Sequence, residues 1–169
     1  MGAHRPFHGT SRVREPVPGM MPSMLSKLLT AVMVTLVLSA VPLTAAPKKL
    51  IHPKEFAKGR PFSPGLMVGD TLYVAGQTGQ DLKTGAIPED FEAEVKQTLD
   101  NIGLVLKEAG LDFGHVVSVN VYLTDMELFQ RMNAVYVTYM KEPRPVRTTV
   151  GVAKLVGKAR IEITVIASQ

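Results

Sequence analysis

The feature that most constrains the fold is the apolar stripe between Asp90 and Gly110. Phe91, Val95, Leu99, Ile102, Leu106 and Ala109 recur at steps of three and four, the spacing that puts side chains on one face of an α-helix. Asp90 stands where an N-cap is expected, and Glu92 and Glu94 fall in the first turn, where they complement the helix dipole. Gly110 suits the C-cap. At about 19 residues the helix would be ~28 Å long. Such a stripe has to be buried against another layer, so the rest of the chain must supply one.

The flanking segments supply it as strands. Leu66-Met-Val68 and Thr71-Leu-Tyr-Val-Ala75 flank Gly69-Asp70, which reads as a hairpin. From Val116 to Leu123, Val117, Val119, Val121 and Leu123 alternate with Val116, Ser118, Asn120 and Tyr122. That stretch is a strand rich in β-branched residues. Met126 to Met140 repeats the helical spacing with Phe129, Met132, Tyr136, Tyr139 and Met140, capped by Thr124 or Asp125 and stopped at Glu142-Pro143. Thr148–Leu155 and Arg160–Ala167 are the last two strands, joined by a turn at Val156-Gly-Lys158. The sum is an α+β fold: a two-layer sandwich of five or so strands with two long helices on one face.

Between the second helix and the fourth strand lies Arg144-Pro-Val-Arg147-Thr-Thr-Val150. Pro143 and Pro145 stiffen its entry, and Arg147 stands where a strand begins. A guanidinium held there is a planar fork of donors suited to a carboxylate. A surface arginine is the plainer alternative.

The first 46 residues have a different character. Arg5, Arg12, Arg14 and Lys27 form a basic leader, Leu28 to Val41 is apolar and uncharged, and Pro42-Leu-Thr-Ala-Ala46 is small. This is the layout of a secretory signal peptide, cleaved near Ala45 or Ala46. The apolar run is short against the roughly 20 residues of a membrane span, and an uncleaved N-terminal anchor is the alternative. Met20, Met21 and Met24 each offer another start. The expected product is exported, periplasmic or secreted, without stable membrane association after cleavage. Residues 47–58, with four lysines, are expected as a flexible lead-in to a domain over 59–169.

Of 19 Lys+Arg and 15 Asp+Glu, four and one lie in residues 1–46, which leaves 15 against 14 and a net charge of +1. A near-neutral domain offers no broad nucleic-acid footprint. With no cysteine, disulfides and thiol catalysis are excluded. His52 and His115 have no metal-site spacing. Glu92 and Glu94 read as helix-start charges, Tyr136 and Tyr139 as core or interface aromatics, and Lys154, Lys158 and Arg160 as a solvated edge.

Taken in order, Leu72-Tyr-Val-Ala-Gly-Gln77, Thr98-Leu-Asp-Asn-Ile102, Val121-Tyr-Leu-Thr-Asp125, Asn133-Ala-Val-Tyr136, Arg144–Val150 and Ile161-Glu-Ile-Thr-Val-Ile-Ala167 resemble the RidA (YjgF) family of small imine deaminases. The resemblance covers residues 57–167. It implies a chorismate-mutase-like fold, a homotrimer with three clefts between subunits, and hydrolysis of 2-imino or 2-enamino acids to 2-keto acids and ammonia, with no metal or cofactor. It puts the carboxylate-gripping arginine at Arg147. Gly76, Asn133, Thr149, Phe62 and Ala75 fall at pocket positions, Ala75 in place of a serine and Phe62 in place of a tyrosine. A second glutamate of the last strand, thought to hold the attacking water, falls on Thr164. A hydroxyl can orient water but cannot act as a carboxylate base. Glu162 lies on the same strand face, roughly 6–7 Å away.

Three function classes follow. The first is an imine deaminase with its substrate carboxylate on Arg147. The second is a non-catalytic binding protein for small carboxylates such as keto acids. The third is an endoribonuclease, an activity sometimes attached to this family, which the near-neutral charge disfavours.

Overall fold

A computed structural model describes residues 45–169, with Met24 apart from them. The expected leader, residues 1–46, lies outside the described residues except for Met24 and its last two. Within 45–169 the chain forms a six-stranded mixed sheet and two helices. The elements are β1 (Lys48–Ile51), β2 (Gly65–Val68), β3 (Thr71–Thr78), α1 (Phe91–Glu108), β4 (Val116–Leu123), α2 (Phe129–Tyr139), β5 (Val146–Gly151) and β6 (Ile161–Ser168). The strand order is β1-β2-β3-β6-β4-β5. Only β4 and β5 run parallel, and α2 is the crossover that a parallel pair needs.

Local chemistry accounts for most of the boundaries. Gly69 adopts φ +57° in the two-residue turn of the β2–β3 hairpin, where Val68 pairs with Thr71. The Asp90 carboxylate accepts from the Ala93 N–H at 3.1 Å, and Gly110 follows α1 at φ +78°. Asp125 caps a 3-10 turn over Met126–Leu128, and the α-helix proper begins at Phe129. The expected second helix therefore starts three residues late, because the cap is spent on the tighter turn. β5 starts at Val146 and ends at Gly151 rather than running to Leu155. Its partner β4 ends at Leu123, and Val152 N–H makes a last bond to the Leu123 carbonyl at 2.8 Å.

Both layers meet in one core. Val95, Leu99, Ile102 and Leu106 of α1, Met132 of α2, and Ile161, Ile163 and Ala167 of β6 are fully buried. Each large side chain of this kind stabilises by about 1.5–3 kcal/mol. The expected lead-in over 47–58 is a correction. Lys48–Ile51 is a sheet strand paired with β2, and Ile51 and Phe56 are core residues. Its lysines mark an edge strand, where charge discourages further pairing.

Polar side chains fix how the layers sit. Asn101 of α1 donates to the Thr78 and Gln80 carbonyls at 3.0 and 2.9 Å, fastening the end of β3. Arg131 of α2 grips Glu92 of α1, Nε to Oε1 at 2.6 Å, and that hydrogen bond lowers the Glu92 carboxyl to about 2. Glu94 and Arg160, expected on the surface, are instead a partner pair. Glu94 is fully buried. It accepts from the Arg160 backbone N–H at 2.7 Å and from its Nε at 2.6 Å. The Arg160 Nη2 donates to the Pro88 and Glu89 carbonyls, both at 2.9 Å. The pair pins the start of β6 to the start of α1. Glu94→Ala strands the guanidinium and the backbone N–H, and should cost about 3 kcal/mol. A urea midpoint shifted down at unchanged slope would show it.

Candidate functional site

The sheet has two unlike faces. Val119, Val121, Val165 and Val74 turn inward, toward the helices, and are buried. Arg147 pairs with Val119 and Thr149 with Val121, so both project from β5 on the helix side. Phe129 and Tyr136 of α2 meet Arg147 there. The Arg147 guanidinium carbon lies 4.5 Å from the Tyr136 ring centroid and 5.6 Å from that of Phe129. Such stacking holds a guanidinium by its face and leaves its edge donors for another group. Among the described residues no carboxylate lies within salt-bridge reach of Arg147, whereas Arg144 is paired with Glu142.

Two hydroxyls complete this cluster. Tyr136 is 3 % exposed. Its hydroxyl and the Thr149 Oγ1 are both buried without a hydrogen-bond partner among the described residues. Burial pushes the Tyr136 phenol up, and the Arg147 charge pulls it the other way. Asn133, one turn earlier on α2, is half-buried. Arg147 and Thr149 share one face of β5, and Asn133 lies on the α2 helix whose Tyr136 stacks on Arg147. Tyr136 and Phe129 join them, although the sequence marked them only as helix-stripe aromatics. Their spacing, with Asn133 between them, is the signal that could have found them.

The opposite face carries the remaining candidates. Glu162 pairs with Tyr122 and Thr164 with Asn120, out of phase with the buried Ile161, Ile163 and Val165. Between Val74 and Gln77 the β3–β6 register shifts, leaving Ala75 and Gly76 in an irregularity. The Ala75 N–H donates to the Pro64 carbonyl at 2.9 Å, which ties the loop bearing Phe62 to this strand. Phe62 is half exposed, 5.9 Å from the Arg60 guanidinium. Gly76 lies directly against Glu162: a Cβ there would overlap Oε1. Glycine is needed here for close approach. Thr164 is held otherwise, its Oγ1 accepting from Asn120 Nδ2 at 3.4 Å.

The sequence-derived candidates thus divide between two faces of one sheet. Arg147, Thr149 and Asn133 lie on the helix side, and Gly76, Glu162 and Thr164 on the open side. Thr164 does not face Arg147 within a chain, and the carboxylate against Gly76 is Glu162. A groove of about 440 Å³ between Thr78, Gln80, Val156 and Lys158 contains neither Arg147 nor Glu162. The open face also carries apolar surface: Tyr73, Val146 and Val150 are 48, 71 and 40 % exposed.

Known proteins share both the sequence and the fold. A mouse protein named 2-iminobutanoate/2-iminopropanoate deaminase is 41% identical over 110 residues, 64% of this chain and 82% of the relative. A RutC family protein from Sulfurisphaera tokodaii is 42% identical over 110 residues, 64% of this chain and 88% of its own length. The solved structure of the YjgF gene product from E. coli superposes with a TM-score of 0.67 at 33% identity, covering 72% of this chain and 98% of that one. The family model described as endoribonuclease L-PSP matches residues 53–169. The chain belongs to the endoribonuclease L-PSP family, which includes the RidA and YjgF proteins, and has their chorismate-mutase-like fold.

Proposed function

We propose that the protein hydrolyses 2-imino and 2-enamino acids to 2-keto acids and ammonia, in a cleft shared by two copies of the chain. The observation that carries this reading is Arg147: a guanidinium stacked on Tyr136, with no carboxylate within salt-bridge reach among the described residues. That surrounding favours a small carboxylate as its partner, held two-pronged. The name of the mouse relative supports an imine as the rest of the molecule.

The chemistry asks little beyond placement. A protonated imine is already electrophilic at C2. Water attacks C2, its O–H proton passes to a base, and the C=N π pair moves onto nitrogen. The carbinolamine nitrogen then takes that proton back from the base, the remaining O–H proton passes to the base as the oxygen lone pair forms the C=O bond, and the C–N bond breaks to release ammonia and the keto acid. Holding the substrate and the water in register contributes several kcal/mol. Glu162 is the base in this reading, because its half-buried carboxylate lies against Gly76 on the open face. Thr164, bonded to Asn120, is left as a flanking hydroxyl. Phe62 and Ala75 border the same half.

Arg147 and Glu162 lie on opposite faces, so the carboxylate anchor of one copy must meet the base of the next. A contact between two different patches is heterologous, and such contacts close into rings. The family resemblance sets the ring at three, with the exposed apolar side chains of the open face covered by the neighbour. The reaction needs no cofactor in this scheme. Its exported setting rests on the leader pattern of residues 1–46.

The test is to generate 2-iminobutanoate in situ with an amino-acid oxidase and trap it with semicarbazide. Added protein should divert imine to 2-oxobutanoate and ammonia and lower the semicarbazone yield. An unchanged yield, with 2-oxobutanoate still bound in calorimetry, would replace the deaminase by a carboxylate-binding protein on the same scaffold.

A further inference from the structure

The groove of about 440 Å³ between the loop after β3 and the turn before β6 has no part in the scheme above. Thr78, which lines it, pairs with Glu162 in the β3–β6 ladder. Both are out of phase with the buried pair Gln77 and Ile163. They are therefore cross-strand neighbours on the open face, with Cβ atoms about 5 Å apart. The groove begins one strand away from the carboxylate that serves as base.

Its loop wall is held by the chain's own hydrogen bonds. The Asp81 N–H donates to the Ala86 carbonyl and the Gly85 N–H to that of Asp81, both at 2.8 Å. Gln80 Nε2 donates to the Gly85 carbonyl at 3.1 Å, and Asn101 of α1 holds the carbonyls of Thr78 and Gln80. These bonds form the wall before any ligand arrives. Ile87 and Val156 give it apolar surface, and Lys158 is the one charged side chain that lines it among the described residues. Among those residues no carboxylate lies within salt-bridge reach of Lys158. The loop's own acid, Asp81, is engaged by the Lys83 and Thr84 N–H groups at 2.9 and 2.8 Å. Apolar walls with a single cation fit a short methylene chain that ends in an anion.

We propose that this groove receives the substrate side chain, and that Lys158 selects 2-imino acids whose side chain ends in a carboxylate, such as 2-iminoglutarate. The proposal rests on the deaminase reading and names its substrate class. Arg147 of one copy holds the carboxylate next to C2, Glu162 of the next faces C2, and the side chain runs past Thr78 between Ile87 and Val156. Its terminal carboxylate meets the Lys158 ammonium. The bond-making steps are those given above, and the groove decides only which imine is held for them. A side chain ending in methyl, as in 2-iminobutanoate, forgoes the charged contact.

The test compares two imines made in situ in the semicarbazide assay, 2-iminoglutarate by an L-glutamate oxidase and 2-iminobutanoate by an L-amino-acid oxidase. The unaltered protein should favour 2-iminoglutarate about tenfold in kcat/KM. Lys158→Met removes the charge and should bring that ratio to about one, and Lys158→Glu should reverse it. Lys154→Met removes an exposed charge outside the groove and should leave the ratio within about twofold. Calorimetry should show the same preference for 2-oxoglutarate over 2-oxobutanoate, lost in Lys158→Met, with no turnover involved. Hydrolysis of 2-iminobutanoate without preference for the dicarboxylate, or a ratio unchanged in Lys158→Met, overturns the proposal and leaves the deaminase reading standing. An equal fall in Lys154→Met shows a diffuse field in place of a contact, and overturns it too. If neither imine is hydrolysed, the deaminase reading fails, and calorimetry decides the groove: a Lys158-dependent preference for 2-oxoglutarate upholds its selectivity, and no preference overturns both.

Discussion

Arg147→Ala is expected to lower imine hydrolysis about a thousandfold in kcat/KM and to abolish binding of 2-oxobutanoate. The size follows from what the residue does. In the proposed reading it fixes the carboxylate of a very small substrate, so losing it would remove both affinity and aim. The fold should survive. Arg147 makes no ion pair among the described residues, and its stacking on Tyr136 is worth about 1 kcal/mol. Arg147→Lys sharpens the point, because it keeps the charge while removing the planar fork. An intermediate loss of about 10- to 100-fold is expected for it. Both rates come from the semicarbazide assay, with circular dichroism as the check on folding. A rate for Arg147→Ala within twofold of the unaltered protein would remove the anchor from the mechanism.

Much of the layer structure was legible because it is written in local periodicity. The α1 stripe shows the helix, its caps and its buried face, and all five of its leading apolar positions are core residues. The alternation in β6 likewise separates Ile161, Ile163 and Val165 from Glu162 and Thr164. β5 could not be read this way. Val146 and Val150 point to the exposed face, while Arg147 and Thr149 point to the helix side. Its apolar residues look outward, so the usual rule of apolar side inward picks the wrong face. Only pairing with β4 shows which side Arg147 takes. The Glu94–Arg160 pair was hidden for a related reason. Its partners are 66 residues apart, and nothing local in either segment marks a charge that will be buried. β1 was masked by its lysines, which read as a solvated tail but here decorate an edge strand. Thr164 was singled out by position in a family pattern. It shares the open face with Glu162, whose carboxylate lies against Gly76, a contact that no local pattern marks.

The division of the site between two faces yields a test that point variants alone cannot give. Glu162→Gln should leave 2-oxobutanoate binding within about twofold, because the anchor is on another face, while turnover falls at least 100-fold with the base gone. Arg147→Ala should lose both. Each homotrimer is then inactive for a different reason. In a ring of mixed copies, the proposed cleft between two neighbours would take its arginine from one and its carboxylate from the other. A Glu162→Gln copy donates an intact Arg147, and an Arg147→Ala copy donates an intact Glu162. With equal amounts and random assembly, roughly one cleft in four is whole, so about a quarter of the original activity should return on co-expression. If anchor and base served the same chain, every cleft would carry one lesion and no activity could return. Native mass spectrometry establishes that mixed rings have formed. Mixed rings without recovered turnover would rule out the shared cleft, and with it the pairing of Arg147 and Glu162 across copies.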